Sequence, residues 1–437
     1  MKWKGDVISF EVYGTSHAPE VGVRAKGLPA VSLDGERLAR FMERRKAKNS
    51  VYSTKRIEAD APEITVGGEF CAIIKNSNVR SGDYSELFGI PRPSHADYAA
   101  HLMDGRLDFS GGGEFSGRLT APLCALGFAA KELLAEKGVR VSAWVRSIGK
   151  AQGASYESGL TEEMLSAGEK GIWAPEGEKE MLEEVERAAV EKDSIGGEIQ
   201  CAATGLPGAI GGGVFGSLEG KIASLCYLIP AVKGVSFGKG FALAEMRGSE
   251  ANDPLRAVGG EIRIVKNDAG GINGGLSNGN PVTLSVAFRP TPSIGKAQNS
   301  VDLLTKTDRT IEIKGRHDAC IVPRAVPVVE SAVAIALLDA LLASERAKCE
   351  NKAGDLDALR TQIDEVDQEL CALLSRRFDV VRAIGEVKKE KGLPVLNEAR
   401  EKVVLEKVRA RAEKADEADA FAAIYQTIMT EAKKLEK

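Results

Sequence analysis

Glycine and proline, the two residues that most restrict regular helix, nearly vanish from this chain at one point. Of 47 glycines only Gly354, Gly385 and Gly392 lie beyond residue 352, and of 16 prolines only Pro394 does. Glycine costs a helix backbone entropy, and proline removes a donor and clashes with the preceding turn. The first part must therefore be rich in turns, while the rest is free to be helical. A chain of 437 residues is also longer than one ordinary hydrophobic core supports. We expect a first domain over 1–345, a polar linker over 346–354, and a second domain over 355–437.

Apolar residues in the tail recur at Leu356, Leu359, Ile363, Val366, Leu370, Leu374, Phe378, Val381, Ile384 and Val387. Steps of three and four predict one helix from about 355 to 391, about 50 Å long at 1.5 Å per residue. Gly392 and Pro394 end it. Two shorter helices follow, over 398–414 and 416–435. A stripe this long cannot be buried by two short partners, so the tail is expected to dimerise.

The earlier part mixes strand-like runs (63–66, 72–75, 198–203, 261–265, 282–288) with helical ones (35–48, 94–103, 117–137, 178–192, 326–343). They do not alternate strictly, which predicts α+β rather than a doubly wound sheet. A net charge of −4 supplies no basic footprint for nucleic acid and no polybasic membrane patch. The start turns acidic at Asp6 before any apolar run, and no stretch reads as a membrane span. A cytoplasmic protein is expected. The seven cysteines are scattered without a Cys-x-x-Cys pair, which predicts reduced, mostly buried thiols and neither a disulfide framework nor a metal site.

Glycine clusters at 111–113, 211–213, 270–271 and 274–275 fit neither the dinucleotide fingerprint nor a phosphate loop. They read either as turns or as backbone that a flat or phosphorylated ligand approaches closely. The chain has four histidines. His17, His95 and His317 sit in polar segments flanked by glycine or proline, where a titrating ring can meet a ligand. His101 falls within a helix and reads as structural. By itself the basic run Arg44, Arg45, Lys46 and Lys48 reads as a solvated helix face.

These segments resemble the chorismate synthase family across nearly all of 5–343. The landmarks run in the family's order: Arg92–Asp97, Gly111–Gly113 leading to Ser116–Ala121, and Asp193–Gly197. Then come Ala231–Val235, Ala269–Ile272, Gly274–Gly279, Gly315–Cys320 and Arg324–Pro327. The resemblance implies an anti 1,4-elimination of phosphate from 5-enolpyruvylshikimate 3-phosphate, giving chorismate with reduced FMN and no net redox change. It implies His17 and His95 as proton-handling groups and Asp318 as a carboxylate managing a flavin proton. It places Arg45, Ser116, Ala231, Gly274, Arg289, Pro290, Thr291, Pro292, Ser293 and Arg316 on the flavin, and Arg44, Lys46 and Arg118 on the substrate. It implies a tetramer through this domain, and leaves open whether NADPH reduces the flavin on this chain. Thr15, Ala18, Glu114, Phe115 and Arg289 depart from the commonest family residues.

On the long helix Arg377 and Lys388 are 11 residues apart, nearly on one face and about 16 Å apart along the axis, so both heads can reach one ligand. Arg360 lies another ~25 Å away and could join them only from an antiparallel partner chain. The spacing from Leu359-Arg360 through Arg376-Arg377, Lys388, Pro394-Val395 and Arg400-Glu401 resembles the all-helical chorismate mutase family. That resemblance implies a small three-helix domain, paired as a dimer, that rearranges chorismate to prephenate. Arg360, Arg377, Lys388, Arg400, Glu401 and Glu436 would form its site. Asn397, Ala432 and Glu436 stand where an aspartate, a serine and a glutamine are commoner. Two other classes stay open: a synthase whose tail only dimerises or binds regulatory metabolites, and a flavin-binding protein without elimination activity.

Overall fold

The computed structural model describes residues 1–46, 60–76, 87–109, 112–313, 318–352, 356–394, 398–412 and 417–435. The chain divides into two units, Met1–Arg346 and Ala347–Lys437.

In the first unit, alternation of buried and exposed residues builds an antiparallel sheet with one face inward. Its strands are β1 (Lys2–Lys4), β2 (Ser9–Gly14), β3 (Glu20–Lys26), β4 (Glu63–Gly67) and β5 (Glu69–Lys75), in the order β1-β2-β3-β5-β4. Phe10, Val12, Val21, Val23, Phe70, Ala72 and Ile74 point into the core. The second sheet uses β6 (Arg140–Ile148), β7 (Ala151–Gln152), β8 (Gly197–Thr204), β9 (Val232–Phe237) and later β14 (Val282–Phe288), ordered β7-β6-β8-β14-β9. β6 and β8 are buried almost throughout. One side of this sheet meets the main core and the other packs Trp144 and Ala202 against Tyr156 and Met164.

Helices α1 (Gly35–Glu43), α2 (Asp97–Asp104), α3 (Thr120–Glu136), α4 (Glu162–Ser166), α5 (Glu178–Val190), α6 (Leu218–Cys226) and α7 (Gly248–Ala251) fill the connections. Short antiparallel ribbons pair β10 (Leu255–Val258) with β11 (Glu261–Ile264), β12 (Ile272–Asn273) with β13 (Leu276–Ser277), and β15 (Gln298–Asp302) with β16 (Thr307–Ile311). The core helices are α3 and α8 (Val322–Lys352). They cross where Gly127 of α3 meets Ser331 of α8: a Cβ at Gly127 would stand 2.4 Å from the Ser331 Cα. Only glycine fits there.

α8 is apolar and long enough to cross a membrane by composition, contrary to the sequence expectation. Its apolar stretch is almost wholly buried within the protein, as in the core helix of a globular domain. It also carries two fully buried acids. Glu330 receives both Arg44 terminal nitrogens at 2.9 and 2.8 Å, Lys131 Nζ at 2.5 Å and the Ala143 amide at 3.0 Å. Asp339 receives the Val7 and Ile8 amides at 2.8 and 2.7 Å and Lys221 Nζ at 2.6 Å.

The expected linker is helical up to Lys352, because α8 continues through it. In the second unit α9 (Leu356–Lys391) is one continuous helix, followed by α10 (Glu398–Arg409) and α11 (Glu417–Leu435). α11 packs on both others through Ala422, Met429 and Ala432. The α9 stripe stays largely uncovered, with Ile363 60% and Val366 63% exposed. Four of the seven cysteines are buried, Cys71 is half-buried, and Cys349 and Cys371 are exposed.

Burial pushes the Glu330 carboxyl up, but Arg44 and Lys131 outweigh it and hold the group at about 2, below the usual 4.5. A folded value below the unfolded one means the stabilisation is full above about pH 4.5 and drains away as pH falls toward 2. Glu330→Ala leaves two cations inside without their partner and should cost about 3–5 kcal/mol at neutral pH. Urea unfolding checks this, and the gap to wild type should narrow below pH 4.5.

Candidate functional site

One face of the first unit opens into a cleft of about 680 Å³, within the ~300–1,000 Å³ usual for small-molecule sites. Among the described residues six non-glycine positions have positive φ, and three of them, Asp60 (45°), Ser94 (58°) and Ala231 (74°), line this cleft. Such conformations cost of order 1–3 kcal/mol each and persist only where the surroundings over-determine them.

The segment before α2 supplies the first group. Asp97, at the first turn of the helix, reaches back to Arg92, accepting from its amide at 2.9 Å, Nε at 2.7 Å and Nη2 at 2.8 Å. His95 Nδ1 lies 2.5 Å from the same carboxylate. Burial alone pushes the Asp97 carboxyl up, but hydrogen bonds from Arg92 and His95 hold it down at about 2. An ionised carboxylate can only accept, so the 2.5 Å contact calls for a proton on His95 Nδ1, against the pull of Arg92 Nη2 at 3.1 Å from the same nitrogen, and Nε2 becomes its chemically available nitrogen.

The second group centres on Asp60, which the sequence reading missed. It is 3% exposed, with Arg45 Nη1 2.9 Å from one oxygen and Arg118 Nη1 on the other. Burial raises the Asp60 carboxyl, and the two arginines more than reverse it. Arg45 also donates to Thr120 Oγ1 at 3.1 Å and the Gly117 carbonyl at 2.6 Å. Arg118 Nε donates to Asn76 Oδ1 at 2.8 Å. Asn76 Nδ2 in turn donates to the Thr15 and Ala18 carbonyls at 3.2 and 2.7 Å, holding the turn that carries His17.

The third group is Asp318, whose two oxygens lie 2.9 and 3.0 Å from Arg324 Nη1. Arg324 Nε continues to the Arg45 carbonyl at 3.1 Å. Thr291 donates to the Asp318 carbonyl at 2.9 Å. Arg289 Nη1 donates to the Ser94 carbonyl at 2.9 Å and has no acidic partner among the described residues.

The cleft therefore gathers His17, His95, Asp318, Arg45, Lys46, Ser116, Arg118, Ala231, Arg289, Thr291, Pro292 and Ser293. Four expectations fall elsewhere. Arg44 turns away from the cleft and is clamped on Glu330, so it is no longer available to a substrate. Gly274 is outside the lining: with Gly275 it forms the two-residue turn between β12 and β13, both at positive φ. Pro290 stacks over Gly196 outside the lining. Arg316, with His317 and Lys48, lies outside the described residues. Three of the four glycine clusters meet other backbone rather than open space. A Cβ on Gly211 would stand 2.3 Å from the Gly275 carbonyl, and one on Gly270 2.3 Å from the Gly238 amide. Glu114, one of the family departures, pairs with Arg106 at 2.9 Å. His101 is structural, its Nδ1 2.9 Å from the Arg106 carbonyl.

In the second unit Arg360, Arg377 and Lys388 lie on α9, with Arg360 exposed and the others half-buried. Arg377 Nη1 is buried with no hydrogen-bond partner among the described residues. Glu401 on α10 pairs with Lys433 on α11 at 2.6 Å, and Arg400 beside it is exposed. Asn397 and Glu436 lie outside the described residues.

Residues 8–342 match the family model for chorismate synthase, and 359–437 match that for chorismate mutase type II. A chorismate synthase of Korarchaeum cryptofilum is 41% identical over 360 residues, covering 78% of this chain and 99% of its own. Those of Thermococcus kodakarensis and Methanocaldococcus jannaschii are 42% and 39% identical, covering 97% and 96% of their own lengths. A crystal structure of chorismate synthase superposes with a TM-score of 0.59 at 25% identity, covering 78% of this chain and 93% of its own.

The Asp97 contact fixes a testable tautomer. In ¹⁵N-histidine NMR at neutral pH, neutral His95 should be the Nδ1–H form, and Asp97→Asn should shift it toward Nε2–H. An unchanged tautomer in the variant would show that Asp97 does not set it.

Proposed function

Because the chain belongs to the chorismate synthase family and ends in a type II chorismate mutase domain, we propose that it performs two consecutive reactions. The first domain eliminates phosphate from 5-enolpyruvylshikimate 3-phosphate to give chorismate, and the tail rearranges chorismate to prephenate, both in the cytoplasm. The convergence of His17, His95 and the Arg45–Arg118 pair on one cleft carries the first half of this reading.

The elimination breaks one C–O bond to phosphate and one C–H bond, so it needs cations for a polyanion and groups that handle protons. Arg118 and Lys46 line the cleft, and Arg324 adds a third cation that the sequence reading had not assigned. They would bind the phosphate and carboxylates by charge-assisted hydrogen bonds. His95, steered by Asp97, offers Nε2 to a proton acceptor or donor in the cleft, and His17 offers a second ring from the turn that Asn76 holds.

A flavin fits the remaining wall. Arg289 can meet its phosphate, hydroxyls of Ser116, Thr291 and Ser293 can meet polar edges, and the strained Ala231 backbone lets a flat ring approach. When bound, reduced FMN supplies electron density to the allylic system and recovers it. Asp318, paired with Arg324, would accept a proton beside the flavin.

For the tail, half-buried Arg377 and Lys388 suit a dicarboxylate, with Arg360 supplied by a second copy across the uncovered α9 stripe. Arg400 and Glu401 complete the set. The rearrangement needs only a compact conformer and positive charge near the developing enolate oxygen. Pairing through the tails, together with a tetramer through the first domain, is the assembly we propose. One observation favours the second reading, a tail that binds without catalysis: the Glu401 carboxylate is already engaged by Lys433.

Anaerobic incubation with reduced FMN and the enolpyruvyl substrate, following chorismate and prephenate separately, tests both halves. His17→Ala or His95→Ala should cut chorismate formation by about 10²–10⁴-fold while prephenate formation from added chorismate is unchanged. Full turnover in either variant removes that residue from the mechanism.

Glu436 bears on the tail alone. Beside the ether oxygen it can donate only when protonated, so mutase activity should rise as pH falls from neutral, and Glu436→Gln should flatten the profile. A profile unmoved by the substitution places Glu436 outside the site.

A further inference from the structure

Arg45 and Arg118 do not face the cleft as loose cations. Asp60 binds one terminal nitrogen of each, and every other contact around them fixes direction rather than charge. Thr120 Oγ1 and the Gly117 carbonyl orient Arg45, while Asn76 Oδ1 and the Lys75 carbonyl orient Arg118. A guanidinium has five N–H donors; each arginine makes three contacts among the described residues, which leaves two donors for a ligand. Asp60 holds this position in a left-handed backbone conformation, φ 45°, which aspartate adopts more readily than most residues, and its carboxylate is bound on both oxygens. Asn76 carries the constraint onward, since the amide that accepts from Arg118 also donates to the carbonyls on either side of His17.

We propose that Asp60 is a positioning residue of the elimination, locking Arg45 and Arg118 into a fixed pair that takes one anionic group of the substrate in register with His17. This rests on the reading of the cleft given above. The acid lowers the net charge of the pair and so weakens plain anion attraction. What it adds is orientation, worth up to about 10²-fold in rate when a reacting group is displaced by an ångström.

The two effects separate in Asp60→Asn. Asparagine shares the tolerance for the left-handed region, but its NH₂ cannot accept from an arginine, so one arm is released while the net charge rises by one. With the full-length protein and reduced FMN, kcat for chorismate should fall about 10²-fold. Inorganic phosphate, which makes no demand on register, should bind several-fold tighter by calorimetry at low salt. Asp60→Glu keeps the counter-charge, and with it the fold, but moves the arginine heads by a methylene. It should lose turnover with phosphate affinity nearly unchanged. Wild-type kcat in both variants overturns the proposal, as does phosphate affinity in Asp60→Asn no tighter than in wild type. If the wild-type protein itself makes no chorismate, the reading of the cleft fails, and the phosphate titration still decides whether Asp60 governs an anion site.

Discussion

Two carboxylates on one apolar helix hold the first unit together. Glu330 and Asp339 sit nine residues apart on α8 with no exposed surface, and neither can be left unpaired there without a penalty of several kcal/mol. Each therefore dictates what surrounds it. Glu330 draws in Arg44 from the end of α1, Lys131 from α3 and the Ala143 amide from the second sheet. Asp339 takes the amides of the β1–β2 connection and Lys221 of α6. The helix thus joins both sheets by obligatory contacts, and the cleft opens beside its N-terminal turns, where Ile321, Arg324, Ala325 and Val328 form part of the wall. Arg44 and Arg45 show the division of labour within two adjacent residues: one serves the core and the next serves the cleft.

That arrangement explains why the cleft can afford strain. Three of its wall residues hold positive φ without being glycine, and each is fixed from outside itself. Asp60 is pinned by two arginines, Ser94 has its carbonyl bound by Arg289, and Ala231 has its carbonyl bound by the Arg289 amide. Rigid sheets and helices behind the wall supply the over-determination that such conformations require.

Much of this was legible in the sequence, for physical reasons that differ by element. The α9 helix was readable almost to its ends because one apolar period runs uninterrupted between turn signals. β14 was readable as a short apolar run bounded by Pro281 and Arg289-Pro290. β2 and β3 were not, because Tyr13, Gly14 and the turn at Thr15–Pro19 break the alternation that the sheet restores by pairing. Arg44 was misassigned because a cation beside other cations says nothing of which way it points; only the distant Glu330, 286 residues away, decides that. Asp60 and Asn76 escaped for the same reason. Their partners are far apart in sequence, and neither lies in a motif whose chemistry is visible before folding. The glycine clusters misled in the other direction, since close backbone approach is what they permit, and most of them are approached by the protein's own backbone.

The balance of charge in the cleft decides what kind of recognition it can perform. Arg92 is matched by Asp97 and Arg324 by Asp318, while Asp60 offsets one of the pair Arg45 and Arg118. Among the described residues the lining side chains Arg289 and Lys233 have no carboxylate partner. A site built to hold a polyanion by attraction alone would leave its arginines uncompensated, and would hold any anion of similar charge equally firmly. Pairing most cations with buried acids lowers that uniform attraction and leaves directed N–H groups, whose hydrogen bonds depend on angle as well as distance. Interactions that tighten only in the reacting geometry raise turnover, whereas uniform binding does not. The acids behind the arginines thus turn the cleft from general anion attraction toward directed recognition.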